Sequence, residues 1–561
     1  MIRLLACRAF KGPRVFALFL SILMMVNVAM SQLPTGTILG TVKDSTGAII
    51  PGTGITAKNL ETGLTRTAVG GEDGSYRFSA LPVGAYEVRA EQPGFRTEVR
   101  SGLTLTVSQE AVVNFTLQPG AVDQTVVVTE EAPLVNTTSG TLGGLVDERK
   151  VAELPLNGRN FIDLTLLQPG VTQQRNLAVA ASTVGTWFSS NGAPLRSNNY
   201  LLDGAIITNL TNGTSASQDG STLGIEGIRE FRIITNSFSA EYGMTMGSQV
   251  MVVTKGGTNT LHGSLFEYFR NSALDARNFF DYKTAASNRR LPPFARNQFG
   301  GSLGGPIKKD KTFFFGVYEG LRQHLGVTTI SPTIPAACHV LTNNPCITTP
   351  TADNPNRNVL PVVQPLLDLY PLPNLPNNQL TFPFTQPIQD DYAQGRVDHM
   401  FSSNDRMFGR YTFNNTTETD PINFPQFRTE RYSRSSFATL SEDHIFSPTL
   451  LSTFRMSFSR THPSNPSPSG IIGPNYSFVP GMEIGSLNIG GVANLGPNVA
   501  PTNFKQNIFT WSDDVFYTRG RHSLKFGTLL NHYQQYVLTF VNSVGTVTFG
   551  NVPNFLQGLT S

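Results

Sequence analysis

Residues 405–414 read Asp405-Arg406-Met407-Phe408-Gly409-Arg410-Tyr411-Thr412-Phe413-Asn414. Met407, Gly409, Tyr411 and Phe413 fall on one face of an extended chain, and Arg406, Arg410, Thr412 and Asn414 fall on the other, with Phe408 as the exception. A period of two is the signature of a β-strand, whose successive side chains point to opposite faces. The pattern repeats downstream. Phe454, Met456 and Phe458 alternate with Thr453, Arg455, Ser457 and Ser459, and Leu524, Phe526, Thr528 and Leu530 alternate with Ser523, Lys525, Gly527 and a discordant Leu529. Each stretch has about the ten residues a tilted strand needs to cross a bilayer. Apolar side chains on one face and charged ones on the other suit a wall between lipid and a watery lumen.

Working outward, candidate strands fall near 262–270, 297–305, 312–321, 391–401, 405–414, 435–445, 450–460, 507–517 and 522–533. The joins at 306–310, 402–404, 447–449 and 518–521 are short, whereas those at 271–296, 322–390, 415–434 and 461–506 are long and rich in Pro, Asn and Ser. Strict alternation of short and long joins is expected when one rim of a barrel faces the periplasm and the other faces outward. Nine strands do not complete such an object. Bacterial barrels close with an even number, and a lumen that holds a plug takes about 22. The end at Gly558-Leu559-Thr560-Ser561 lacks a terminal aromatic, so the reading expects a fragment or a truncated product.

The bulk composition agrees with an all-β chain. Charged residues are 14% of the 561, against roughly 25% in soluble domains. Arg3, Arg8, Lys11 and Arg14 precede a largely apolar run, Val15 to Val26, and small residues Ala29 and Ser31 follow it. That order reads as a secretory signal over residues 1–31; a membrane anchor is the other reading, but the run is short of the ~20 residues a spanning helix requires. Without those four charges the formal net falls from +3 to −1, which removes any basic footprint for nucleic acid. Cys338 and Cys346 flank a short stretch. In an oxidising compartment they are expected to close a small loop, with two free thiols as the alternative.

Between residues 36 and 118, short alternating runs such as Ser75-Tyr76-Arg77-Phe78 and Ala85-Tyr86-Glu87-Val88-Arg89 are punctuated by turn signals such as Asp73-Gly74 and Pro82-Val83-Gly84. They argue for a small β-sandwich. Gly40-Thr41-Val42 with Asp44, Gly47 and Pro51-Gly52, then Asp73 to Phe78, Leu81 to Tyr86 and Pro93-Gly94-Phe95, resemble the carboxypeptidase regulatory-like domain, which implies a transthyretin-like sandwich. No peptidase activity follows. A zinc carboxypeptidase needs His-x-x-Glu ligands, and none of the eight histidines has a glutamate at that spacing.

A linker over 123–131 carries Val126, Val127, Val128, Thr129 and Glu130. A β-branched run of this kind can pair with another protein's sheet edge, or it can simply be the last strand of the sandwich. From 132 to 259 come Glu153-Leu154-Pro155-Leu156-Asn157-Gly158-Arg159-Asn160-Phe161, Asn199-Tyr200-Leu201-Leu202-Asp203-Gly204, Ile225-Glu226-Gly227-Ile228-Arg229-Glu230-Phe231 and Ala240-Glu241-Tyr242-Gly243. This segment resembles the plug of TonB-dependent outer-membrane receptors, specifically the Oar-like subgroup in which a regulatory-like sandwich precedes the plug. The resemblance implies an α/β plug, a barrel from residue 260 onward, and a TonB box at 126–130.

Enzyme motifs are absent or out of place. Gly-Lys, required by a phosphate loop, never occurs. Gly300-Gly301-Ser302-Leu303-Gly304 matches a hydrolase elbow in letters but lies in a Gly-rich strand with no helix signal after it. The expectation is therefore not an enzyme but an energy-coupled transporter of a scarce solute, with no cofactor, no metal ligands and no nucleic acid. TonB and outer-membrane lipid are the implied partners, and the sandwich leans the solute toward saccharide or polymer-derived ligands. The rival from another class is a surface adhesion or carbohydrate-binding protein that uses the barrel as an anchor.

Overall fold

The structure, a computed structural model, describes residues 34–560 except 121–124, 130–139, 155, 174–185, 212, 214–222, 237, 277–292, 350–351, 498–500, 521 and 540. The expected signal at 1–31 and Glu130 lie outside the described residues.

Residues 35–129 build two facing sheets. One pairs Thr35–Asp44 with Ser75–Pro82, Glu110–Val112 and Phe115–Leu117; the other has five strands, in the order Thr65–Val69, Gly54–Asn59, Gly84–Glu91, Thr97–Leu105 and Thr125–Thr129. The strict alternation in Thr35–Asp44 buries Ile38 and Val42, which pack with Tyr76, Phe78, Tyr86, Val88 and Phe115 between the sheets. Gly40 has a steric reason. A Cβ there would stand 1.8 Å from the Val113 carbonyl oxygen, so only glycine lets the two backbones approach.

The plug is a five-stranded mixed sheet, in the order Leu142–Val146, Ile228–Asn236, Gln249–Thr254, Asn199–Leu202 and Ala205–Ile206. Its central strand, Gln249–Thr254, is buried at every position. A short helix, Glu148–Glu153, starts where the Asp147 side chain accepts from the Lys150 amide at 2.9 Å. Phe161, Phe188, Tyr200, Phe231 and Val250 lie in its core.

Nine antiparallel strands form the wall as a continuous meander: His262–Asn271, Phe294–Lys308, Thr312–Pro332, Gln379–Met400, Asp405–Pro421, Arg428–Ser447, Leu450–Asn465, Thr502–Arg519 and His522–Thr539. Among the described residues the first and ninth pair on one side only, so the barrel is not closed. The alternation orients the wall as its sequence implies. Arg410, Thr412, Thr439, Ser441, Arg455 and Ser457 are buried toward the plug, while Tyr411, Leu440, Phe454, Met456 and Trp511 are exposed on the other face. Phe408, the exception in the pattern, lies inside because the Arg396 guanidinium sits 4.1 Å from its ring centroid. No helix among the described residues is long and apolar enough to cross a membrane.

The wall differs from the sequence expectation on its long-loop side. The third and fourth strands have 21 and 22 residues, far longer than 312–321 and 391–401. Beyond the bilayer both faces meet water, so the apolar–polar signal that marks a spanning strand is lost. Pro383 and Pro387 also disguise the fourth strand. They are tolerated because that stretch pairs with the third strand alone; pairing to the fifth begins at Ile388. The long joins are not simple loops either. Ile334, Val363, Leu367, Tyr370, Phe424, Phe427, Leu487, Phe549 and Phe555 share one buried core and form a cap over this rim.

Candidate functional site

The plug seats on the wall through Asp203. This residue occupies the turn between two plug strands with φ of 48°, a left-handed conformation that Asp tolerates, and Gly204 follows at 78°. The turn presents the carboxylate outward, where it accepts from the Thr254 amide at 2.9 Å and the Thr254 hydroxyl at 2.8 Å. Two wall guanidiniums converge on it: Arg410 Nε at 2.8 Å and Arg396 Nη1 at 3.7 Å. Arg410 and Asp203 have side-chain exposures of 0% and 1%, so neither charge keeps a water shell. A buried pair roughly breaks even in net stability, but losing one partner strands a charge at a cost of about 3–5 kcal/mol. The contact is therefore strict about register.

Around that pair the wall takes up plug carbonyls one after another. Arg410 Nη2 donates to Leu202 O at 3.3 Å, Arg455 Nη1 to Gly204 O at 3.3 Å, Ser459 Oγ to Ile206 O at 2.6 Å and Gln506 Nε2 to Thr208 O at 2.9 Å. A plug edge that water would otherwise solvate is thus held by four side chains from three wall strands.

A second seat lies on the early wall strands. Glu226 of the plug binds Arg159 at 2.7 Å and accepts from Ser264 Oγ at 2.7 Å, while its amide donates to Glu319 Oε1 at 2.8 Å. The Arg159 guanidinium lies 4.2 Å from the Phe266 ring centroid and 5.0 Å from that of Tyr268. Across the lumen, Lys525 reaches Glu241 at 2.5 Å.

The sandwich in turn docks on the plug. Arg229 makes a two-pronged contact with Glu61, both distances 2.7 Å. Burial raises the Glu61 carboxyl, but the Arg229 hydrogen bonds and charge outweigh it and hold the group below the usual range. Next to it, Glu230 accepts from the Val107 amide, Arg232 donates to Val107 O at 3.0 Å, and Tyr242 donates to Ser108 Oγ at 2.9 Å. Burial pushes the Glu230 carboxyl up to about 7, despite that hydrogen bond and the nearby arginines.

The segment singled out as a partner-binding strand is placed on the sandwich. Thr125–Thr129 runs parallel to Thr97–Ser101 as the fifth strand of its sheet, with Val127 opposite Val99. Val126 and Val127 are 41% and 62% exposed, and the strand's outer edge pairs with nothing among the described residues. Cys338 and Cys346 are joined in a disulfide with Cα atoms 5.3 Å apart, and Cys338 lies in the core of the cap. Ser302, the letter match to a nucleophile, sits mid-strand in the wall, where its hydroxyl shares a hydrogen bond of 2.9 Å with that of Ser264.

Arg159, Asp203, Glu226, Arg229 and Glu230 all lie in the plug stretches that carry the family resemblance, but nothing in the sequence marks them as contacts. Within one sequence, an acid beside glycine reads only as a turn. Its partners Arg396 and Arg410 lie about two hundred residues away, and only the inward face of their strands hinted that they meet something.

An antiparallel wall, lipid-compatible outside and polar inside, wrapped against a mixed-sheet plug, defines an outer-membrane barrel protein with a stoppered lumen. The chain belongs to the outer membrane beta barrel domain family, which matches residues 253–561, more than half of its length. It resides in the outer membrane. The carboxypeptidase regulatory-like domain matches residues 37–118. The chain is 30% identical over 270 residues to the TonB-dependent transporter Oar of Myxococcus xanthus, covering 46% of this chain and 24% of that protein. Similar solved structures include the outer membrane transporter YddB from Escherichia coli, at 12% identity and a TM-score of 0.42, covering 71% of this chain and 54% of that one. The siderophore receptor PirA from Acinetobacter baumannii aligns at 13% identity and 0.41, covering 70% and 48%. The chain thus spans about a quarter of its curated relative's length and about half of these structures.

Proposed function

We propose that the chain is the sandwich, plug and opening wall of a TonB-dependent transporter that moves a scarce solute across the outer membrane. The observation that carries this reading is the position of Thr125–Thr129. An extended, Val-rich strand with a free edge stands immediately before the plug in the chain, and the plug is seated in the lumen. A partner that adds a strand to this edge gains a mechanical hold on the plug. The likeness to Oar supports the same reading.

The proposed cycle has three steps. Solute binds from the cap side, TonB engages Val126 to Thr129 from the periplasm, and force applied there peels the strand and loads the plug. No covalent step is required. Among the described residues the first and ninth wall strands each keep one unpaired edge, which lipid does not tolerate. The test is a pull-down of purified periplasmic TonB domain by a peptide spanning 120–140. Capture by the wild-type peptide supports energy coupling; absence of capture favours the adhesion reading, since a passive anchor needs no such strand.

A further inference from the structure

Outside the plug seats, one group of chemistry-bearing side chains has no part in the mechanism above. Asp405, at the start of the fifth wall strand, stands opposite His444 near the end of the sixth, and Glu442 lies two residues before His444 on the same face. One ligand atom from each falls within 4.8 Å of the other two. His444 Nδ1 is 2.5 Å from Asp405 Oδ1 and 3.9 Å from Glu442 Oε1. We propose that these three side chains bind a divalent first-row metal ion, with Zn2+ the favoured species, on the membrane-facing side of the wall at its short-turn rim.

Two independent features support this. The first is preorganisation. The His444 ring packs edge-on against Phe446 with centroids 4.3 Å apart, which fixes its plane, and Ser402 Oγ donates to the second Asp405 oxygen at 2.6 Å. Outer hydrogen bonds of this kind orient ligands in metal sites. The second is location. Residues 405, 442 and 444 face away from the lumen, opposite to the inward Arg406, Arg410, Asp443 and Arg455. Asp513 joins them on that outer face, held by Ser452 Oγ at 2.5 Å and within electrostatic reach of Glu442. The imidazole of His444 is the cationic partner of Asp405 and Glu442. Three carboxylates bordering Met407, Phe446 and Phe454 repel one another at this rim. A dication offsets that repulsion.

The donor set selects the metal. Ca2+ and Mg2+ favour all-oxygen shells, whereas one imidazole with two carboxylates suits Zn2+, leaving a fourth position for water. The ion would tie the ends of two adjacent strands where the turns at 402–404 and 448–449 meet the periplasm.

The test uses the full chain in detergent micelles, stripped with chelator and titrated with Zn2+, with Co2+ as a spectroscopic probe. One tight equivalent is expected, with visible Co2+ bands of low coordination number. His444→Gln and the near-isosteric Glu442→Gln should each weaken Zn2+ by at least about tenfold. His399→Gln changes a neighbouring rim imidazole that also packs on a phenylalanine (Phe401), and it should leave affinity unchanged. Unaltered binding in both His444→Gln and Glu442→Gln, or no tight equivalent in the wild type, overturns the proposal.

Discussion

Asp203 of the plug and Arg410 of the wall meet at 2.8 Å with almost no solvent on either side chain, although 207 positions separate them in sequence. This pair, with Arg396 beside it, holds the stopper in register with the fourth and fifth wall strands.

Asp203→Asn should loosen the plug because it leaves the buried Arg410 guanidinium without its counter-charge, at a cost on the order of 3–5 kcal/mol, whereas Arg396 keeps Asp398 at 2.8 Å. Arg410→Gln should act in the same direction. The double variant should cost less than the two single effects together, since neither stranded charge remains. Uptake of a large hydrophilic dye by outer membranes reads the loosening. Additive effects would show that the two groups do not act as a pair.

The sandwich–plug junction should depend on pH through Glu230. Its carboxyl titrates near 7 in the folded chain, above the ordinary value of 4.5. Raising an acid's pKa on folding favours the folded state at low pH, so docking is firmest below about 4.5 and weakens as pH rises toward about 7. Hydrogen exchange of the Val107 amide, corrected for its intrinsic rate, should speed up across that window in the wild type. Glu230→Gln should flatten the dependence while keeping an acceptor for the amide.

Val127→Pro removes a backbone donor from the coupling strand and restricts its φ, so a 120–140 peptide carrying it should bind TonB at least about tenfold more weakly. Solute binding at the cap side should persist. Equal capture of both peptides would detach this segment from energy coupling.

The Cys338–Cys346 link closes a loop with a sequence separation of 8. Loop-closure entropy for that length is worth about 2–3 kcal/mol. Cys338→Ser with Cys346→Ser should therefore increase proteolytic nicking within 333–378 and leave the wall strands protected. Equal nicking would mean that the packed core of the cap suffices without the link.

How far the sequence could be read followed the physics of each region. Inside the bilayer, lipid on one face and water on the other impose a two-residue period, which is legible at 405–414, 453–459 and 523–530 with Phe408 and Leu529 as exceptions. Above the bilayer that asymmetry ends. The upper halves of Thr312–Pro332 and Gln379–Met400 were therefore hidden, and Pro383 and Pro387 strengthened the impression of loop. The cap was hidden for another reason. Its core gathers Ile334, Tyr370, Phe424, Leu487 and Phe555 from four separate segments, each too sparse in apolar residues to carry a period of its own. Phe408 broke the wall pattern because it serves Arg396, and that partner lies on a neighbouring strand. The Asp203 seat was visible only as a turn, since its chemistry is completed by residues two hundred positions downstream.

The membrane orientation of the wall is tested most directly by spin labels at single cysteines along adjacent strands in native outer membranes. Labels at 411, 440, 456 and 511 should be reached by dissolved oxygen and shielded from a water-soluble nickel complex, while labels at 412, 439, 457 and 510 should be shielded from both by the plug. Nickel access at the first set, or no alternation between the two, would contradict a lipid-facing wall.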